Sequence, residues 1–471
     1  MPLLISQFSG GLSSGSKIGL AGAFRWGQGL NIHEDPDVLK ISAKSTKDSG
    51  STVVDLVKFA STNTINSNIY FLGTKLYKKS SGVYSVLNTY TTPQGMGWFN
   101  GTSRIVFVAG NTEYKLDPSN DSITNGRALN TADFHPAEAF LDKIFIGNNQ
   151  ELISTDASGI DYDYTTVGGG IKIEQGYSIR CLKNVGEFLF IGATSNNSSM
   201  AKAYIWDGTS EFWNYSFALR GEDGVNAVEV SDNGTVLISC GKSGSLYQLA
   251  GLDTNFVKIK KLPRIEKDKT IEIYPQAICN YQGGIRFGLS DGTSLTAERG
   301  IYSYTSSDKN YPQVLNLDYV PSHGNTTGTD IQIGCILSAN TTDMYVSWKS
   351  GSDYGIDLIS GANVQGTAIY ESLIFDAGKP FSRKHIKKLK ITLAKAMEAN
   401  EIIELFYKAD RASWVSIDTI SFATDGAIKE KKFAPDIKCR EYEIKLEFTN
   451  TGTTAPEVDS ILLDYIEEDL I

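Results

Sequence analysis

Short apolar runs recur along the chain, and each is soon followed by a second run typical of a strand. The runs start about 36 to 60 residues apart, and the short end of that range is close to one four-stranded propeller blade. The first run usually ends in glycine, and the second carries aromatic or aliphatic side chains, as in the seven pairs Ile69–Gly73 and Leu76–Lys79, Ile105–Gly110 and Glu113–Asp117, Ile144–Gly147 and Glu151–Ser154, Leu189–Gly192 and Ala203–Asp207, Val236–Gly241 and Ser245–Leu249, Ile285–Gly288 and Gly300–Tyr304, and Met344–Trp348 and Tyr354–Leu358.

Further strand-like runs flank these pairs. Val53–Phe59, Tyr177–Leu182 and Val225–Val230 precede a pair, and Val83–Leu87 and Phe256–Ile259 follow one. Four strands per repeat is the content of a propeller blade, and such a sheet buries both faces only when similar sheets stack on it. The pattern therefore predicts a six- or seven-bladed β-propeller over residues 51–365, with a run of β-sandwiches as the alternative.

The two ends of the chain differ from this repeat. Residues 1–50 have a Gly/Ser-rich start and then two strand-like runs, which predicts an arm with first strands, one of which could close the propeller. In the C-terminal part, Tyr442, Ile444, Leu446 and Phe448 alternate with charged residues, which marks a half-buried antiparallel strand. Residues 366–471 are therefore predicted to form a jelly-roll-like β-sandwich, in which residues 393–400 are the one candidate helix.

Composition supports this all-β interpretation and limits the function. The 45 glycines and 23 tyrosines suit turns and strands, and the net charge of −10 argues against broad binding to nucleic acid. An acidic surface could still lie beside DNA without holding it. The chain shows no basic, apolar leader and no run of about 20 apolar residues, so we expect folding in a cytoplasm without a membrane span. The five cysteines have no C-x-x-C spacing and are predicted to be buried free thiols.

Catalytic and metal-binding patterns are weak. The four histidines, His33, His135, His323 and His385, lack metal-ligand spacing, and Gly168–Gly170 precedes a strand rather than the helix that a phosphate loop needs. Asp161 and Asp163 could bind calcium but do not match an EF-hand loop, so ordinary turns are the preferred interpretation. We therefore predict no catalytic residues, no metal, no cofactor and no enzyme activity.

Some turns resemble the Asp-box of sialidase propellers. They are Trp206–Thr209, Ser231–Thr235 and Ser290–Thr293. In such turns the aspartate bonds the local backbone and the glycine adopts positive φ, so the motif is structural. A propeller glycosidase is for this reason only the third hypothesis.

Two surface candidates remain. Trp206, Phe212, Trp213 and Tyr215 form the densest aromatic cluster, which blade packing explains and which is also a candidate glycan or partner contact. The most basic segment, Lys384–Lys390, is expected to be a solvated strand face; contact with an acidic protein and contact with nucleic acid are its alternatives.

The sequence resembles tailed-bacteriophage virion proteins of the tail and nozzle type. Phe8–Leu12, Phe24–Ile32 and the aliphatic-Gly/aromatic repeats carry the resemblance, and Thr454–Ile461 with Leu463–Tyr465 is similar to the closing strand of phage-tail sandwiches. The resemblance implies a structural virion protein that is assembled in the host cytoplasm as a homo-oligomeric ring around the DNA exit path. Its implied partners are other tail or portal-adaptor proteins, with non-specific proximity to DNA.

The leading hypothesis is thus a ring-forming tail component, either nozzle or tail-completion protein. The alternative is a carbohydrate-binding receptor-recognition protein of the tail, motivated by the aromatic cluster and the predicted sandwich.

Overall fold

The computed structural model describes residues 2–13, 15–17, 19–62, 66–98, 104–196, 200–249, 256–261, 271–290, 300–306, 312–322, 331–450 and 453–468. The chain forms two compact units. We call Thr46–Arg299 with Pro321–Leu358 the propeller unit, and Met1–Ser45, Gly300–Val320 and Ile359–Ile471 the two-sheet unit.

The first half of the chain is almost continuous β-structure. Its strands, in order, are β1 (Pro2–Ile5), β2 (Phe24–Gln28), β3 (Leu30–Asn31), β4 (Lys40–Ile41), β5 (Ala43–Lys47), β6 (Phe59–Thr62), β7 (Ile69–Leu72), β8 (Lys75–Ser80), β9 (Val83–Thr89), β10 (Pro93–Gly97), β11 (Ile105–Ala109), β12 (Thr112–Asp117), β13 (Ser122–Ala128), β14 (Ala137–Phe140), β15 (Lys143–Asn148), β16 (Glu151–Asp156), β17 (Asp161–Tyr162), β18 (Tyr177–Val185), β19 (Phe188–Ser195), β20 (Met200–Trp206) and β21 (Tyr215–Arg220).

The second half continues in the same way and holds one four-residue helix among the described residues. Its elements are β22 (Val225–Val230), β23 (Val236–Cys240), β24 (Ser245–Leu249), β25 (Phe256–Lys261), β26 (Ile278–Tyr281), β27 (Gly284–Gly288), β28 (Ile301–Thr305), β29 (Val314–Tyr319), β30 (Gln332–Ser338), β31 (Met344–Ser350), β32 (Asp353–Val364), β33 (Thr367–Ser372), β34 (Arg383–Leu393), β35 (Ile402–Ala409), β36 (Val415–Ser421), α1 (Phe422–Asp425), β37 (Glu430–Phe433), β38 (Ile437–Cys439), β39 (Tyr442–Thr449) and β40 (Val458–Glu468).

The propeller unit is a closed ring of seven sheets. Strands β6–β9, β10–β13, β14–β17, β18–β21 and β22–β25 form five antiparallel sheets in sequence order; β26–β27 begin the sixth, and β30–β32 the seventh. The innermost strands β6, β10, β14, β18, β22, β26 and β30 contact one another in that order, and β30 contacts β6. The prediction of a six- or seven-bladed propeller is confirmed, with seven blades.

The core of this unit lies between neighbouring sheets. All five residues of Ile105–Ala109 are buried, because that strand has a sheet packed on each face, whereas the outer strand Val83–Thr89 is largely exposed. Tight hairpins join the strands: Ser81 and Gly82, between β8 and β9, have φ of 49° and 82°, as a two-residue turn with the twist of the sheet requires. Continuous apolar runs therefore mark the inner strands.

The first and seventh sheets close the ring through apolar packing and through hydrogen bonds to Asp48. Phe71 and Tyr77 of the first sheet pack in one core cluster with Tyr345 and Ile356 of the seventh. The Asp48 amide donates to the Ile356 carbonyl (2.9 Å). The Asp48 carboxylate accepts hydrogen bonds from Lys79 Nζ (2.6 Å) and the Tyr84 hydroxyl (2.7 Å). A segment from the first 50 residues thus contributes to closure.

The two-sheet unit contains two antiparallel five-stranded sheets. One has the order β1-β40-β34-β37, with β38 also paired to β34, and the other has the order β2-β33-β39-β35-β36. Each sheet buries one apolar face: Ile386, Leu389 and Ile391 on β34, and Leu446 and Phe448 on β39, are at most 1% exposed. Two one-sided sheets are what a sandwich requires; its jelly-roll form stays a prediction.

The N-terminal residues are strands of this unit rather than a separate arm. Pro2–Ile5 pairs with Ile461–Asp464, and Phe24–Gln28 pairs with Ile369–Ser372. Lys17 is held by Asp376 (2.9 Å) and Glu441 (2.5 Å). The observed units therefore differ from the predicted segments 1–50, 51–365 and 366–471, because backbone pairing joins the two ends of the chain.

The predicted helix at residues 393–400 is wrong. That segment leaves β34 as a loop, in which Lys395 pairs with Glu398 (3.3 Å) and Glu401 (3.4 Å). The helix lies instead at Phe422–Asp425, where the Ser421 side chain caps it by accepting from the Thr424 amide. Helix propensity alone therefore did not determine the conformation of this segment.

Replacing Phe8 tests whether the N-terminal segment is part of the two-sheet core. Phe8 is fully buried, with its ring 5.7 Å from that of Tyr370. Phe8→Ala should therefore lower the free energy of unfolding by about 3–5 kcal/mol in chemical denaturation. Leu4→Ala is the matched control, because Leu4 is 58% exposed, and should cost less than about 0.5 kcal/mol. Equal, small losses for both variants would contradict the structure.

Candidate functional site

A cavity of about 290 Å³ lies at the centre of the propeller ring. Residues of six of the seven innermost strands line it, which places it on the ring axis. Its size approaches that of small-ligand pockets. The lining residues that carry polar chemistry are Glu138, Lys183, Glu229, Gln276, Cys279, Asn280 and Ser338.

The one ammonium group of this axial cavity is paired with one of its two carboxyl groups. Lys183 Nζ lies 2.7 Å from Glu229 Oε2, and Glu229 is buried. Burial opposes the charge on Lys183, but Glu229 and then Glu138 outweigh it and raise the pKa of the ammonium. Burial raises the pKa of Glu138, against the effect of Lys183. A carboxyl with a raised pKa in a cavity is a candidate proton donor, and Glu138 is the group in this cavity that fits such a role best.

The amide of Gln276 fixes one wall of the cavity. Its Oε1 accepts from the Ala60 amide (2.8 Å), and its Nε2 donates to the Met96 carbonyl (2.9 Å). Ala60 belongs to the first sheet and Met96 to the second, so this side chain ties three sheets together. Each hydrogen bond contributes about 1 kcal/mol. Both polar atoms of the Gln276 side chain are therefore hydrogen-bonded to backbone groups.

The predicted aromatic cluster divides into core and surface. Trp206 is fully buried: its ring lies 5.4 Å from Phe145, and its Nε1 donates to the Ser210 carbonyl (2.8 Å). It packs between blades and is excluded as a contact residue. Phe212 and Tyr215 are 64% and 42% exposed. Trp213 is half-buried, with its ring 5.1 Å from that of Tyr204.

A rigid turn presents these exposed rings. The Asp207 carboxylate accepts from the amides of Thr209 (2.8 Å) and Ser210 (2.7 Å) and from Asn214 Nδ2 (3.0 Å). Burial alone would raise the pKa of Asp207, but these hydrogen bonds outweigh it and hold the pKa well below its usual range. Gly208, with φ of 83°, completes the turn. The Asp-box-like segment Trp206–Thr209 is thus structural, as expected, while most of Ser290–Thr293 lies outside the described residues.

A serine, a histidine and an aspartate meet in the two-sheet unit, although they are far apart in the sequence. Ser303 Oγ donates to Asp318 Oδ1 (2.6 Å) and lies 2.8 Å from His33 Nε2. A hydrolase triad requires the carboxylate to orient the imidazole and the hydroxyl to face substrate. Here the carboxylate holds the hydroxyl, and Ser303 is fully buried. The cluster is a buried polar network, and no local spacing could have revealed it.

The other described histidines and Asp161, which were considered as metal ligands and judged to be ordinary residues, have separate partners. His135 is buried with its Nδ1 2.8 Å from the Gly147 carbonyl, His385 lies 2.5 Å from Asp436, and His323 is outside the described residues. Within the described ranges, no group of three or more His, Cys, Asp or Glu could hold a metal ion. Asp161 forms an ion pair with Lys115, with Oδ1 2.7 Å from Nζ. All five cysteines are free and buried, as predicted.

The basic segment Lys384–Lys390 is partly neutralised. Lys384 is buried, Lys387 lies 3.5 Å from Asp436, and Lys390 lies 3.4 Å from Glu430. Lys387 and Lys390 agree with the expected solvated strand face, whereas Lys384 does not, because its ammonium group is buried and donates to the Arg440 carbonyl (2.9 Å). In the described part of the chain, no helix has the length and apolarity of a membrane span.

Comparison with known proteins finds similarity at the level of fold. No family model matches the sequence, and no curated protein matches it. YCF48 from Cyanidioschyzon merolae is 10% identical over 68% of this chain and 98% of its own, with a TM-score of 0.46. The Myceliophteria thermophila Cps50 (Swd1) β-propeller domain is 10% identical over 68% and 99%, with a TM-score of 0.45.

A third solved structure covers more of this chain. The extracellular domain of a putative one component system from B. thetaiotaomicron is 13% identical over 79% of this chain and 47% of its own, with a TM-score of 0.48. At these identities and TM-scores, the similarities carry no inference about activity or partners.

Removing the axial cation tests the structural role of the cavity charges. Lys183→Met leaves the buried Glu229 without its partner and should lower the free energy of unfolding by about 3 kcal/mol. Lys172→Met is the control, because Lys172 pairs with Glu151 at 3.3 Å with 47% of its side chain exposed; it should cost less than about 1 kcal/mol. The account is contradicted if urea denaturation gives both variants the same small loss.

The turn at Asp207 should respond to acid. Its folded-state pKa lies below the unfolded value of about 3.9, so the carboxylate stabilises the turn above that pH and loses this effect as pH falls below it. Wild type should therefore lose more stability between about pH 7 and about pH 3 than Asp207→Asn. Asp163→Asn, whose side chain is 74% exposed, should behave like wild type in the same denaturation series. A wild-type acid loss equal to that of Asp207→Asn would be the contrary result.

Proposed function

We propose that this chain is a structural component of a bacteriophage virion, a ring-forming tail protein of the nozzle or tail-completion type around the DNA exit path. The observation that carries the structural part is the axial cavity, where Lys183 is paired with Glu229 and the Gln276 amide is bonded to backbone. In a catalytic pocket, such groups would be kept available to substrate. In this cavity Lys183, Glu229 and Gln276 are instead bonded to groups on neighbouring sheets.

The phage part is supported by the sequence resemblance and by where its residues lie. Phe8, Leu12 and Phe24 are at most 2% exposed, and Leu463 on β40 is fully buried. These four residues of the resembling segments are therefore core residues of the two-sheet unit, whereas most of the repeats that also carry the resemblance lie in the propeller unit. A mechanism of assembly follows: rigid sheets offer loops and edges to neighbours, and a closed ring satisfies heterologous interfaces.

Carbohydrate recognition is the second candidate, and the rigid turn that presents Phe212 and Tyr215 favours it. Exposed aromatic rings fixed by a hydrogen-bonded turn are suited to stacking on an apolar face of a ligand. The rings of Trp213 and Phe212 lie edge to face, with their centroids 6.5 Å apart. The same surface would suit a protein partner of the tail.

Disrupting the gene in its phage tests the proposal. A stop codon early in the gene, propagated without suppression, should yield DNA-filled heads with incomplete tails and no infectivity; electron microscopy and plaque counts measure this. Supplying the wild-type chain in trans is the control and should restore infectivity. Intact, infective particles from the unsuppressed mutant would overturn the structural role. Complete tails that fail only in adsorption, together with glycan binding that is lost in Phe212→Ala, would favour carbohydrate recognition.

A further inference from the structure

A surface depression of about 720 Å³ on the two-sheet unit concentrates positive charge around an exposed ring. It contains three of the 11 arginines in a chain whose net charge is −10. Its lining residues are Pro380, Phe381, Arg383, Asp410, Arg411, Arg440 and Glu441. We call this depression the arginine pocket. It lies in a different unit from the aromatic turn at Phe212.

A tight turn presents the aromatic ring of the arginine pocket. The Ser382 amide donates to the Lys379 carbonyl (3.1 Å), which closes a four-residue turn with Pro380 and Phe381 at its centre. Proline fixes the backbone at the second position of such turns. Phe381 is consequently held outward with 78% of its surface exposed. A large apolar ring displayed on a rigid turn among charged groups is preorganised for contact.

Two of the three guanidinium groups remain available. Arg411 is committed, with Nε 2.8 Å and Nη2 3.4 Å from the Glu441 carboxylate. In the part of the chain that the structure describes, the side chains of Arg383 and Arg440 make no ion pair and no hydrogen bond. Both residues are exposed. Arginine presents a planar set of donors that matches a carboxylate in a bidentate manner.

The two carboxylates of the pocket are held in place and differ in availability. Asp410 Oδ1 accepts from the amides of Arg440 (2.7 Å) and Glu441 (2.9 Å), and this fixes the backbone between them. Glu441 is neutralised by Arg411 and then by Lys17, which lower its pKa. The second oxygen of Asp410 has no partner among the described residues, so it can accept from a hydroxyl group.

This set of groups fits one class of ligand. Three arginines and two carboxylates leave a net charge of +1, which suits a monoanion. The ring can stack on an apolar face, the free guanidinium groups can bind a carboxylate, and Asp410 can accept from a hydroxyl. A densely acidic peptide would be repelled by Asp410. We propose that the arginine pocket binds an acidic saccharide, a sugar that carries a carboxylate, through Arg383 and Arg440 with Phe381 as the stacking platform.

Binding of free sugars to the full chain tests the proposal. The probes are N-acetylneuraminic acid, galacturonic acid and the methyl ester of N-acetylneuraminic acid, followed by saturation-transfer NMR and calorimetry. At least one of the acids should bind, and removing the charge in the ester should weaken the binding of N-acetylneuraminic acid about tenfold, because a hydrogen bond to a charged group is lost. Ester binding as tight as that of the acid would overturn the role of the arginines.

Variants separate the pocket from general charge effects. The double change Arg383→Ala/Arg440→Ala should weaken acid binding by about tenfold or more, and Phe381→Ala should also weaken it. Lys388→Ala, an exposed cation on the same strand as Arg383 but outside the pocket, should leave binding unchanged. These side chains are exposed, so thermal unfolding should match wild type in every variant.

Three results would reject the acidic-saccharide site. The first is that neither acid binds at concentrations up to about 10 mM, at which even weak sites are occupied. The second is that Lys388→Ala weakens acid binding as much as the double arginine variant does. The third is that a hexaglutamate peptide binds more tightly than the sugars. The last result would identify the pocket as a docking site for acidic protein segments. None of these results bears on whether the chain is a virion component, because the gene-disruption phenotype is measured separately.

Discussion

Closure of the seven-sheet ring is the constraint on which the propeller unit depends. Each sheet has two apolar faces, and a single sheet could bury neither without neighbours on both sides. The layer formed by Phe71, Tyr77, Tyr345 and Ile356 supplies the last of these contacts. Asp48 supports it with bonds to both the first and the seventh sheets. Opening this junction would expose apolar faces on both sides, so rigidity follows from closure.

Each of the two units contains an ion pair whose carboxylate is buried. Lys183 with Glu229 on the propeller axis and Arg25 with Glu443 (2.7 Å) in the two-sheet unit are pairs in which the carboxylate is almost fully buried. A buried charge is tolerated only when it is paired and bonded. Each pair joins strands that are far apart in the sequence, β18 with β22 and β2 with β39. The exposed rings of Phe212 and Phe381 lie instead on surface turns.

Local pattern was sufficient to predict the strands. The run Ile105–Gly110 became β11, and the alternation at Tyr442–Phe448 became β39, because burial on two faces or one imposes those periods. Counting repeats narrowed the number of blades to six or seven, and the structure has seven. Long-range pairing could not be predicted: the strand Pro2–Ile5 finds its partner at Ile461–Asp464 through tertiary packing, for which no local signal exists. The N-terminal residues were for that reason assigned to an arm.

The candidate sites show the same limit. Trp206 and Phe212 are neighbours in sequence, but the turn at Asp207 separates a core ring from an exposed one. Glu443 is one of the charged residues that alternate with the apolar residues of the half-buried strand β39, yet it is buried against Arg25. Arg383, Arg411 and Arg440 carry no spacing motif, since three different segments bring them together. Sequence reasoning can name side chains with suitable chemistry, but only the fold decides which are accessible.

The most direct test of a structural role in a ring is the copy number of this chain in purified virus particles, measured by quantitative mass spectrometry against the major capsid protein. A closed ring predicts a fixed value of about six or about twelve copies per particle. A value near zero would contradict the account and would leave a propeller protein that is not part of the virion.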